Sequence, residues 1–431
     1  MSGPASTSVA SAGHAAAETV MERCDLLAGV SAREDGIRRT YLSVEHRRVN
    51  DLVGAWMREA GLRTGVDEAG NLRGRLGRSD LPVLVLGSHL DTVDDAGRYD
   101  GVVGVLVAIE VAARLRDEVE DWPFGLEVIA FADEEGTRFG RALLGSSAVA
   151  GTWDRRWWDL VDPDGVTLRD AFTAFGLDPA AVGQAAHRPP EVIGYLEAHI
   201  EQAPYLELAG LGLGVVTSIA SARRFQVDFL GRAGHAGTPY EYRLDPVGGA
   251  AEGVLAVERV CIRRHQSGTV GRIRAFPGGV NVVPGRASFS LDLRGEHDET
   301  RDAAWAELRG AFDEVCARRG LTWRSRELHR APAVFCAPWL MDAVRTGIAS
   351  TGQAEAPALF SRAGHDAMAM AAITDVGMLF LRNPGGISHH PDESVSVDDV
   401  AHGIDALTSA AREVAVVCEA RRRPVTATTP R

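Results

Sequence analysis

The sequence lacks features that would place it in several classes of protein. Its five cysteines are scattered, odd in number and form no CxxC pair, which predicts reduced thiols in a cytoplasm rather than a disulfide framework. No unbroken apolar run is long enough to span a membrane, and no basic start opens a signal peptide. We expect frayed termini over the Ala-, Ser- and Gly-rich first 20 residues and over the tail from about 421 to 431. The cysteines are Cys24, Cys261, Cys316, Cys336 and Cys418.

An excess of basic residues is also lacking. The 431 residues include 46 Lys and Arg against 59 Asp and Glu, which gives a formal net charge of −13. A nucleic-acid partner normally needs a basic face, so this balance argues against one. The apolar share of 45% and the charged share of 24% are ordinary for a globular protein. The length exceeds that of one compact core, so two domains are expected.

Strand and helix signals alternate in the first part of the chain. Residues 82–90 (PVLVLGSHL) form a continuous apolar run that is typical of a strand buried on both faces in a parallel sheet. Residues 102–116 have helical spacing, and residues 126–135 (LEVIAFADEE) repeat the strand signal. A helix is also predicted over 42–62, with Ser43 as its N-cap. The alternation predicts an open, mostly parallel α/β sheet flanked by helices.

The middle of the chain has a different pattern. Residues 212–237 alternate apolar and polar side chains, and residues 272–295 read as two strands around a Gly- and Pro-rich link. Helical spacing occurs at 246–263 and again at 303–319. This order predicts an inserted α+β domain, with the rest of the chain forming one discontinuous domain. We place the inserted lid domain at 217–331 and the catalytic domain at 1–216 and 332–431.

Five short segments rich in acids and histidines occur in a fixed order. Two of them end predicted strands, and ligands of open α/β sheets gather at the carboxyl ends of strands. Their histidines, aspartates and adjacent glutamates suit two divalent cations and one general base. They therefore predict a two-metal hydrolase. The segments are GSHLDTV (87–93), RYDGVVG (98–104), FADEEGTRFG (131–140), YLEAHIEQAP (195–204) and GGISHHPDE (385–393).

His89 and Asp91 are two positions apart at a predicted strand end, so their side chains face the same way. We expect His89 to bind a metal ion while Asp91 accepts a hydrogen bond from the other ring nitrogen. The alternative is a buried histidine satisfied by a neighbouring acid. Asp100 lies where a loop enters a helix, before Gly101, and is either an N-cap or a metal ligand close to His89.

Glu134 and Glu135 follow an apolar strand directly. Adjacent carboxylates in such a place repel each other unless a cation neutralises them or one takes up a proton. We expect one to bind a metal ion and the other to act as general base toward the attacking water. The sequence pattern alone does not distinguish the metal ligand from the base. The alternative is a solvated loop with two surface acids.

Several histidines are candidates. His199 lies in a predicted strand, and one of the adjacent His389 and His390 is expected to reach the site from a Gly- and Pro-rich loop. His235 and His365 have small neighbours, which allow a substrate to approach the backbone closely. Surface histidines are the alternative for the last two.

Taken together, these segments resemble the zinc-dependent amidohydrolases that cleave ureido groups. This family includes N-carbamoyl-L-amino-acid amidohydrolases, β-ureidopropionases and allantoate amidohydrolases, and is related to two-metal aminopeptidases. The resemblance extends over about residues 25–415. It implies a hydrolase of C–N bonds other than peptide bonds. The motifs that carry it, in family order, are GSHLDTV, YDGVVGV, EEGTRFG, HIEQ, AGHAGT, NVVPG, LDLR, AGHDAM and GGISHHPDE.

The resemblance implies particular roles for the candidate residues. Glu134 is implied as the general base and Asp91 as the residue that orients a ligand histidine. Zn²⁺ is the first expectation for the two ions, with Mn²⁺, Co²⁺ or Ni²⁺ as alternatives for such ligands. Five residues are implied to hold the ions, with His89 and His199 on one, Glu135 and His389 on the other, and Asp100 bridging both.

The resemblance also implies a substrate side and a partner. Arg294 suits a bidentate carboxylate contact, and His235 and Asn281 suit the developing oxyanion. Gln202, Gly364 and His365 are implied to line the same pocket. The inserted domain is expected to act as a lid and to join two chains in a homodimer.

The implied substrate is a small ureido carboxylate, with allantoate first. An N-carbamoyl-L-amino acid or a β-ureido acid is the alternative. A two-metal peptidase is less favoured because such enzymes usually have a carboxylate at the position of His199. A non-catalytic binding protein is disfavoured because Glu134 is retained. Departures from the family pattern at GTPY (237–240), Ala203 and Arg362 leave every implied metal ligand intact and leave the substrate open.

Overall fold

The computed structural model describes residues 5–422, so most of the expected frayed tail lies outside the described residues. The α-helices of that part are α1 (Ala5–Ala28), α2 (Val44–Glu59), α3 (Val102–Leu115), α4 (Leu144–Val149), α5 (Leu168–Phe175), α6 (Tyr205–Ala209), α7 (Pro246–Arg264), α8 (Asp298–Arg319), α9 (Pro338–Ser350), α10 (Ala367–Met370) and α11 (Val397–Arg422). The strands are β1 (Arg63–Val66), β2 (Leu72–Leu76), β3 (Val83–His89), β4 (Gly125–Phe131), β5 (Val192–Ile200), β6 (Leu213–Ile219), β7 (Ser221–Leu230), β8 (Gly234–His235), β9 (Ser267–Thr269), β10 (Ile273–Phe276), β11 (Val282–Val283), β12 (Arg286–Gly295), β13 (Thr322–Ala331), β14 (Val334–Phe335), β15 (Ala358–Ser361) and β16 (Val376–Leu381).

The chain divides into two compact units. The first comprises the described residues up to Thr217, the segment Phe335–Leu359 and the described residues from His365 onward. The second comprises Ser218–Val334 and the short segment Phe360–Gly364. That short segment returns to the second unit after a stretch of the first, and the predicted domain boundaries do not include this return.

The first unit is built on a mixed sheet with a parallel centre. Along it the strands run in the order β1-β2-β4-β3-β5-β16-β6. The neighbours β4, β3, β5 and β16 are parallel, whereas β1, β2 and β6 join antiparallel. Every residue of β3 and β4 is buried, as expected for strands covered on both faces. The predicted open, mostly parallel α/β sheet is confirmed.

Helices predicted in the first unit begin and end close to the expected residues. Ser43 caps α2, because its side chain accepts the backbone N–H of His46. Helix α3 is apolar on most of its surface and packs on β3 and β5 and against α11. This packing fixes the loop that leads from β3 into α3.

The expectation of a frayed N-terminal segment is wrong for its described part. Helix α1 runs from Ala5 to Ala28, and the apolar residues Ala17, Val20, Cys24 and Leu27 are fully buried in the core of the first unit. They recur at intervals of three and four residues, which places them on one face. The described part of this segment packs against α3 and α11.

The second unit is an antiparallel sheet with two helices on one face. Its strands run in the order β10-β12-β7-β13, and β9 pairs with β12. Helices α7 and α8 supply one side of the core, and Phe225, Val227 and Phe229 of β7 supply the other. Strands β8 and β11 form a separate two-stranded ladder.

Cys24, Cys261, Cys316 and Cys336 are buried thiols. Among residues 5–422, no helix combines the length and the apolarity needed to cross a bilayer.

Candidate metal centre

The parallel strands of the first unit bring most of the candidate ligands to one edge of the sheet. His89 ends β3 and lies opposite Phe131 at the end of β4, after which Glu134 and Glu135 follow. His199 lies in β5 beside Phe380 of β16. The carboxyl ends of parallel strands meet at the same edge, so these side chains converge.

Asp100 lies at the centre of this cluster, in the loop between β3 and α3. One of its carboxylate oxygens is 3.2 Å from Nε2 of His199, and the other is 3.0 Å from Nε2 of His389. The same His389 nitrogen is 3.2 Å from Oε1 of Glu135. A carboxylate that divides its two oxygens between two imidazoles has the arrangement that a bridging ligand needs.

Two groups of possible ligand atoms share Asp100. In one group, atoms of His89, Asp100 and His199 all lie within 4.8 Å of one another. In the other, the same is true of Asp100, Glu135 and His389. These are the two ligand sets that the family resemblance implies.

Backbone carbonyls orient two of the imidazoles. Nδ1 of His89 is 3.0 Å from the carbonyl oxygen of Asp91, and Nδ1 of His199 is 2.9 Å from that of Ile200. Each ring therefore donates from Nδ1 and leaves Nε2 for a metal ion. Gly101, at φ +68°, allows the His89 ring to lie against the loop, because a Cβ at that position would overlap the ring.

The expected hydrogen bond from His89 to the Asp91 carboxylate differs from the observed one. Oδ1 of Asp91 is 3.6 Å from Nδ1 of His89, farther than the carbonyl oxygen. The carboxylate instead accepts the backbone N–H groups of Glu134 at 2.9 Å and Glu135 at 3.1 Å. Asp91 therefore holds the backbone of the glutamate pair, and it orients His89 through its main chain.

The electrostatics of the cluster fit cations. Burial disfavours the charged form of Asp100, but hydrogen bonds from His199 and His389 outweigh it and hold its pKa well below the usual range. Burial likewise opposes charge on His199, yet Asp100 raises its pKa to about 9. Hydrogen bonds to Asp100 and Glu135 raise the pKa of His389 to about 11. The protons that these imidazoles share with the carboxylates lie where divalent ions could bind instead. The donor set therefore fits such ions.

Glu134 differs from the ligands around it. It is buried, and burial together with the charge of Glu135 raises the pKa of its carboxyl well above the usual range. No hydrogen bond to its carboxylate is found among the described residues. It lies within 4.8 Å of possible ligand atoms of His89 and Glu135. A carboxyl beside the ligands, without a fixed partner, suits proton transfer.

Gln202 contacts Asp100 directly. Its Nε2 lies 3.1 Å from both carboxylate oxygens of Asp100 and 3.1 Å from Oγ of Ser388. The sequence-based expectation gives Gln202 to the substrate pocket, and its position beside the central carboxylate stays compatible with that role.

Glu393 lies in the last acid- and histidine-rich segment, and its role was not predicted from the sequence. Its Oε1 accepts the backbone N–H groups of Tyr99 at 2.7 Å and Asp100 at 3.0 Å. Its Oε2 accepts the hydroxyl of Ser388 at 2.9 Å. Glu393 therefore ties the loop that carries His389 to the loop that carries Asp100. Its place in the SHHPDE motif was the available signal.

The remaining predicted substrate residues fall in both units. His365 belongs to the first unit and is buried with its ring 4.5 Å from that of His199, whereas Gly364 belongs to the second. His235 and Asn281 are neighbours in the second unit, because the N–H of Ala236 donates to the carbonyl of Asn281 at 3.0 Å.

Arg294 already has partners within the second unit. Its Nε and one terminal nitrogen donate to the two oxygens of Asp292, each at 3.1 Å. The other terminal nitrogen donates to the carbonyl of Arg362 at 2.9 Å. The family resemblance implies that Arg294 binds a carboxylate of the substrate. Its pairing with Asp292, two residues before it, was not predicted.

The fold and the cluster define a hydrolase of α/β architecture with a candidate centre for divalent cations. A family model described as Peptidase family M20/M25/M40 matches residues 85–413. The chain belongs to this peptidase family M20/M25/M40. It is a hydrolase of C–N bonds other than peptide bonds, as the sequence predicts.

Similar proteins agree with this assignment. An N-carbamoyl-L-amino-acid amidohydrolase of Pseudomonas sp. (strain NS671) is 39% identical over 383 residues, which cover 87% of this chain and 92% of the relative. An allantoate deiminase of Arabidopsis thaliana is 38% identical over 417 residues, which cover 89% and 79%. A solved amidase of the hydantoinase/carbamoylase family from Burkholderia multivorans matches with a TM-score of 0.82 at 30% identity, over 91% of this chain and 96% of that one.

Proposed function

We propose that the protein is a metal-dependent hydrolase that cleaves the N-carbamoyl group of a small ureido carboxylate. Allantoate is the substrate that we favour. Water attacks the ureido carbonyl carbon, and the bond to the substituted nitrogen breaks. The amine leaves, and the carbamate that remains decomposes to ammonia and carbon dioxide.

One observation carries the proposal. Asp100 lies between the imidazoles of His199 and His389, at 3.2 and 3.0 Å, at the edge of the sheet where ligands of this architecture gather. The imidazole of His199 in this position matches the family pattern of ureido hydrolases rather than that of two-metal peptidases. The names of the relatives described above support the same class of substrate.

Five residues would hold two divalent ions: His89 and His199 one, Glu135 and His389 the other, and Asp100 both. When bound, such ions act as Lewis acids and lower the pKa of water toward neutrality. Zn²⁺ is the first choice for this mixture of imidazole and carboxylate, and Mn²⁺, Co²⁺ or Ni²⁺ would also fit it.

Glu134 is the proposed general base. It takes a proton from the attacking water and later delivers it to the leaving nitrogen. Asp91 fixes the main chain from which the Glu134 side chain extends, because its carboxylate accepts the backbone N–H groups of both Glu134 and Glu135. General base catalysis of this kind contributes about 10²- to 10⁴-fold to the rate.

Arg294 is the proposed contact for the substrate carboxylate. Three of its five N–H groups are used by Asp292 and by the carbonyl of Arg362. One N–H on each terminal nitrogen remains available to a carboxylate. We assign the oxyanion to His235 and Asn281, and the rest of the pocket to Gln202, Gly364 and His365.

The relatives favour one alternative substrate. The N-carbamoyl-L-amino-acid amidohydrolase of Pseudomonas sp. is as similar to this chain as the allantoate deiminase is. The preference for allantoate rests on the SHHPDE segment at 388–393 and the stretch at 41–57, which resemble allantoate amidohydrolases most. A β-ureido acid is a further alternative.

An ammonia-release assay tests the proposal. The metal-loaded protein is given allantoate, a panel of N-carbamoyl-L-amino acids, N-carbamoyl-β-alanine and a panel of dipeptides, the last assayed by amine release. We expect the highest kcat/KM with allantoate. Highest activity on an N-carbamoyl amino acid would replace the substrate but keep the reaction, whereas hydrolysis of dipeptides alone would refute both.

We also propose that the second unit acts as a lid, that it joins two chains in a homodimer, and that the protein works in the cytoplasm. Sedimentation velocity of the whole chain tests the dimer. A species of one chain's mass at working concentration would contradict it.

A further inference from the structure

The second unit carries a groove lined by arginines on the sheet face opposite α7 and α8. Side chains alternate along β7, so Phe225 and Val227 point to the helices while Gln226 and Asp228 point to the groove. The groove has a volume of about 530 Å³. Five of its lining residues are arginines, namely Arg272, Arg274, Arg286, Arg324 and Arg326.

The strand register brings these arginines together. In one row across the sheet, Arg274 of β10 lies opposite Ser288 of β12, which lies opposite Asp228 of β7, which lies opposite Arg324 of β13. In the next row, Arg326 lies opposite Gln226. Residues that face each other in this way have Cβ atoms about 5 Å apart. The arginines therefore reach one concavity from both of its sides.

The acid in this lining does not neutralise the groove. Asp228 accepts from Nε of Arg324 at 3.1 Å and from the hydroxyl of Ser288 at 2.5 Å. Five arginines against this one aspartate leave four positive charges. Within residues 5–422, no carboxylate lies at ion-pairing distance from Arg272, Arg274 or Arg326.

Other arginines of the same sheet have a carboxylate partner. Arg224 and Arg294 both donate to Asp292, each at 3.1 Å. The groove differs, because Arg272, Arg274 and Arg326 have no such partner among residues 5–422 and its positive charge is in excess. It also contrasts with the net charge of −13 of the whole chain. Holding like charges side by side is unfavourable, and a multivalent anion relieves the repulsion.

We propose that this groove binds a small organic anion with two or more phosphate groups. Guanidinium forks pair with phosphate oxygens through two parallel hydrogen bonds. The volume lies within the range of about 300–1,000 Å³ that small-molecule sites occupy. Phe276, with the guanidinium of Arg286 3.9 Å above its ring, adds an apolar wall for the carbon skeleton.

This ligand is not the substrate of the proposed reaction. All lining residues belong to the second unit, and none is among the residues assigned to the metal centre or to the substrate. The inference stands whether or not the ureido substrate is the right one.

Calorimetric titration of the full metal-loaded chain with fructose 1,6-bisphosphate tests the site, with inorganic phosphate as a second arm. We expect saturable binding of one bisphosphate per chain, weaker binding of inorganic phosphate, and loss of affinity as NaCl is raised. The double variant Arg274→Gln/Arg326→Gln should bind the bisphosphate at least about tenfold more weakly, because hydrogen bonds between charged groups are lost. Arg309→Gln, an exposed arginine of α8, is the matched control and should bind like the wild type.

Arg274→Lys/Arg326→Lys keeps the charge but loses the forks, and should fall between the wild type and the glutamine variant. Both altered residues are exposed, so the thermal midpoints of all variants should agree. The proposal is overturned if the wild type shows no saturable binding, or if the glutamine variant binds as tightly as Arg309→Gln. A change in sedimenting mass without a change in anion binding would also overturn it, because the face would then be an interface between proteins.

Discussion

A single carboxylate organises the candidate centre at the level of residues. Asp100 receives His199 and His389 on its two oxygens, Gln202 on both, and Glu393 holds its backbone N–H. The structure brings together the residues that the family resemblance implies as ligands, and their role as ligands stays a prediction. The sequence did not predict Glu393, whose role depends on a loop almost three hundred positions from Asp100.

The division of roles between the two glutamates gives the first prediction. Glu134→Gln should retain two divalent ions but lose about 10²- to 10⁴-fold in kcat, because it removes the base and keeps the ligands. Glu135→Gln is the matched control and should lower metal affinity as well. Metal analysis and ammonia release on the same samples provide both readouts. Unchanged turnover in Glu134→Gln would show that the base lies elsewhere.

Gly101 gives a prediction about the shape of the site. Gly101→Ala should weaken metal binding, because the new methyl group meets the His89 ring and displaces it. Gly140→Ala is the matched control, since Gly140 has nearly the same φ, +69° against +68°, but nothing within 4 Å of an added Cβ. Isothermal titration with Mn²⁺ compares the two. Equal Mn²⁺ affinities in the two variants would mean that the added methyl group at position 101 does not displace the His89 ring.

At the level of elements, strong helical or strand periodicity in the sequence predicted the positions of several helices and strands. Strand β3 and helices α2, α3 and α7 lie where the patterns predicted them. The N-terminal segment was mistaken for a frayed end because Ala, Ser and Gly dominate its composition. Burial of its apolar face against α3 and α11 comes from tertiary packing, which composition does not show.

Helix α1 therefore should contribute to stability. Leu27→Ala should lower the free energy of unfolding by about 2–5 kcal/mol, as for other fully buried leucines. Its neighbour Leu26 is 62% exposed, and Leu26→Ala should change stability by no more than about 0.5 kcal/mol. Urea denaturation followed by circular dichroism measures both. Equal effects would contradict the docking of α1.

His46 of α2 predicts sensitivity to acid. Burial lowers its pKa to about 4, below the ordinary value of 6.5, and the ring stacks on Phe175 at 4.9 Å. The unfolded chain therefore takes up the proton first, so stability is complete above pH 6.5 and falls as the pH drops toward 4. The loss is on the order of 3 kcal/mol.

Thermal midpoints between pH 7 and 4 test this window. His46→Gln should be less stable than the wild type at pH 7 but should lose less stability on acidification. The exposed His402→Gln is the control and should follow the wild-type curve. Parallel curves for His46→Gln and the wild type would assign the acid sensitivity to other groups.

At the level of the whole molecule, the chain divides into two compact units, and part of their extent depends on contacts between distant residues. The return of residues 360–364 to the second unit has no signature in composition or periodicity. The groove of arginines was also missed, because its residues are spread over four strands and only the register brings them together. The periodicity of a single segment does not show which strands pair with each other, so it cannot predict a groove that depends on this pairing.

Metal stoichiometry of the whole chain decides whether one carboxylate serves two cations. Metal-free protein is titrated with Zn²⁺ or Mn²⁺, alongside Asp100→Ala and the exposed control Asp398→Asn. We expect two ions per chain for the wild type and the control, and a loss of more than about 100-fold in affinity at both sites in Asp100→Ala. One ion per chain, or two ions bound by Asp100→Ala as tightly as by the wild type, would contradict it.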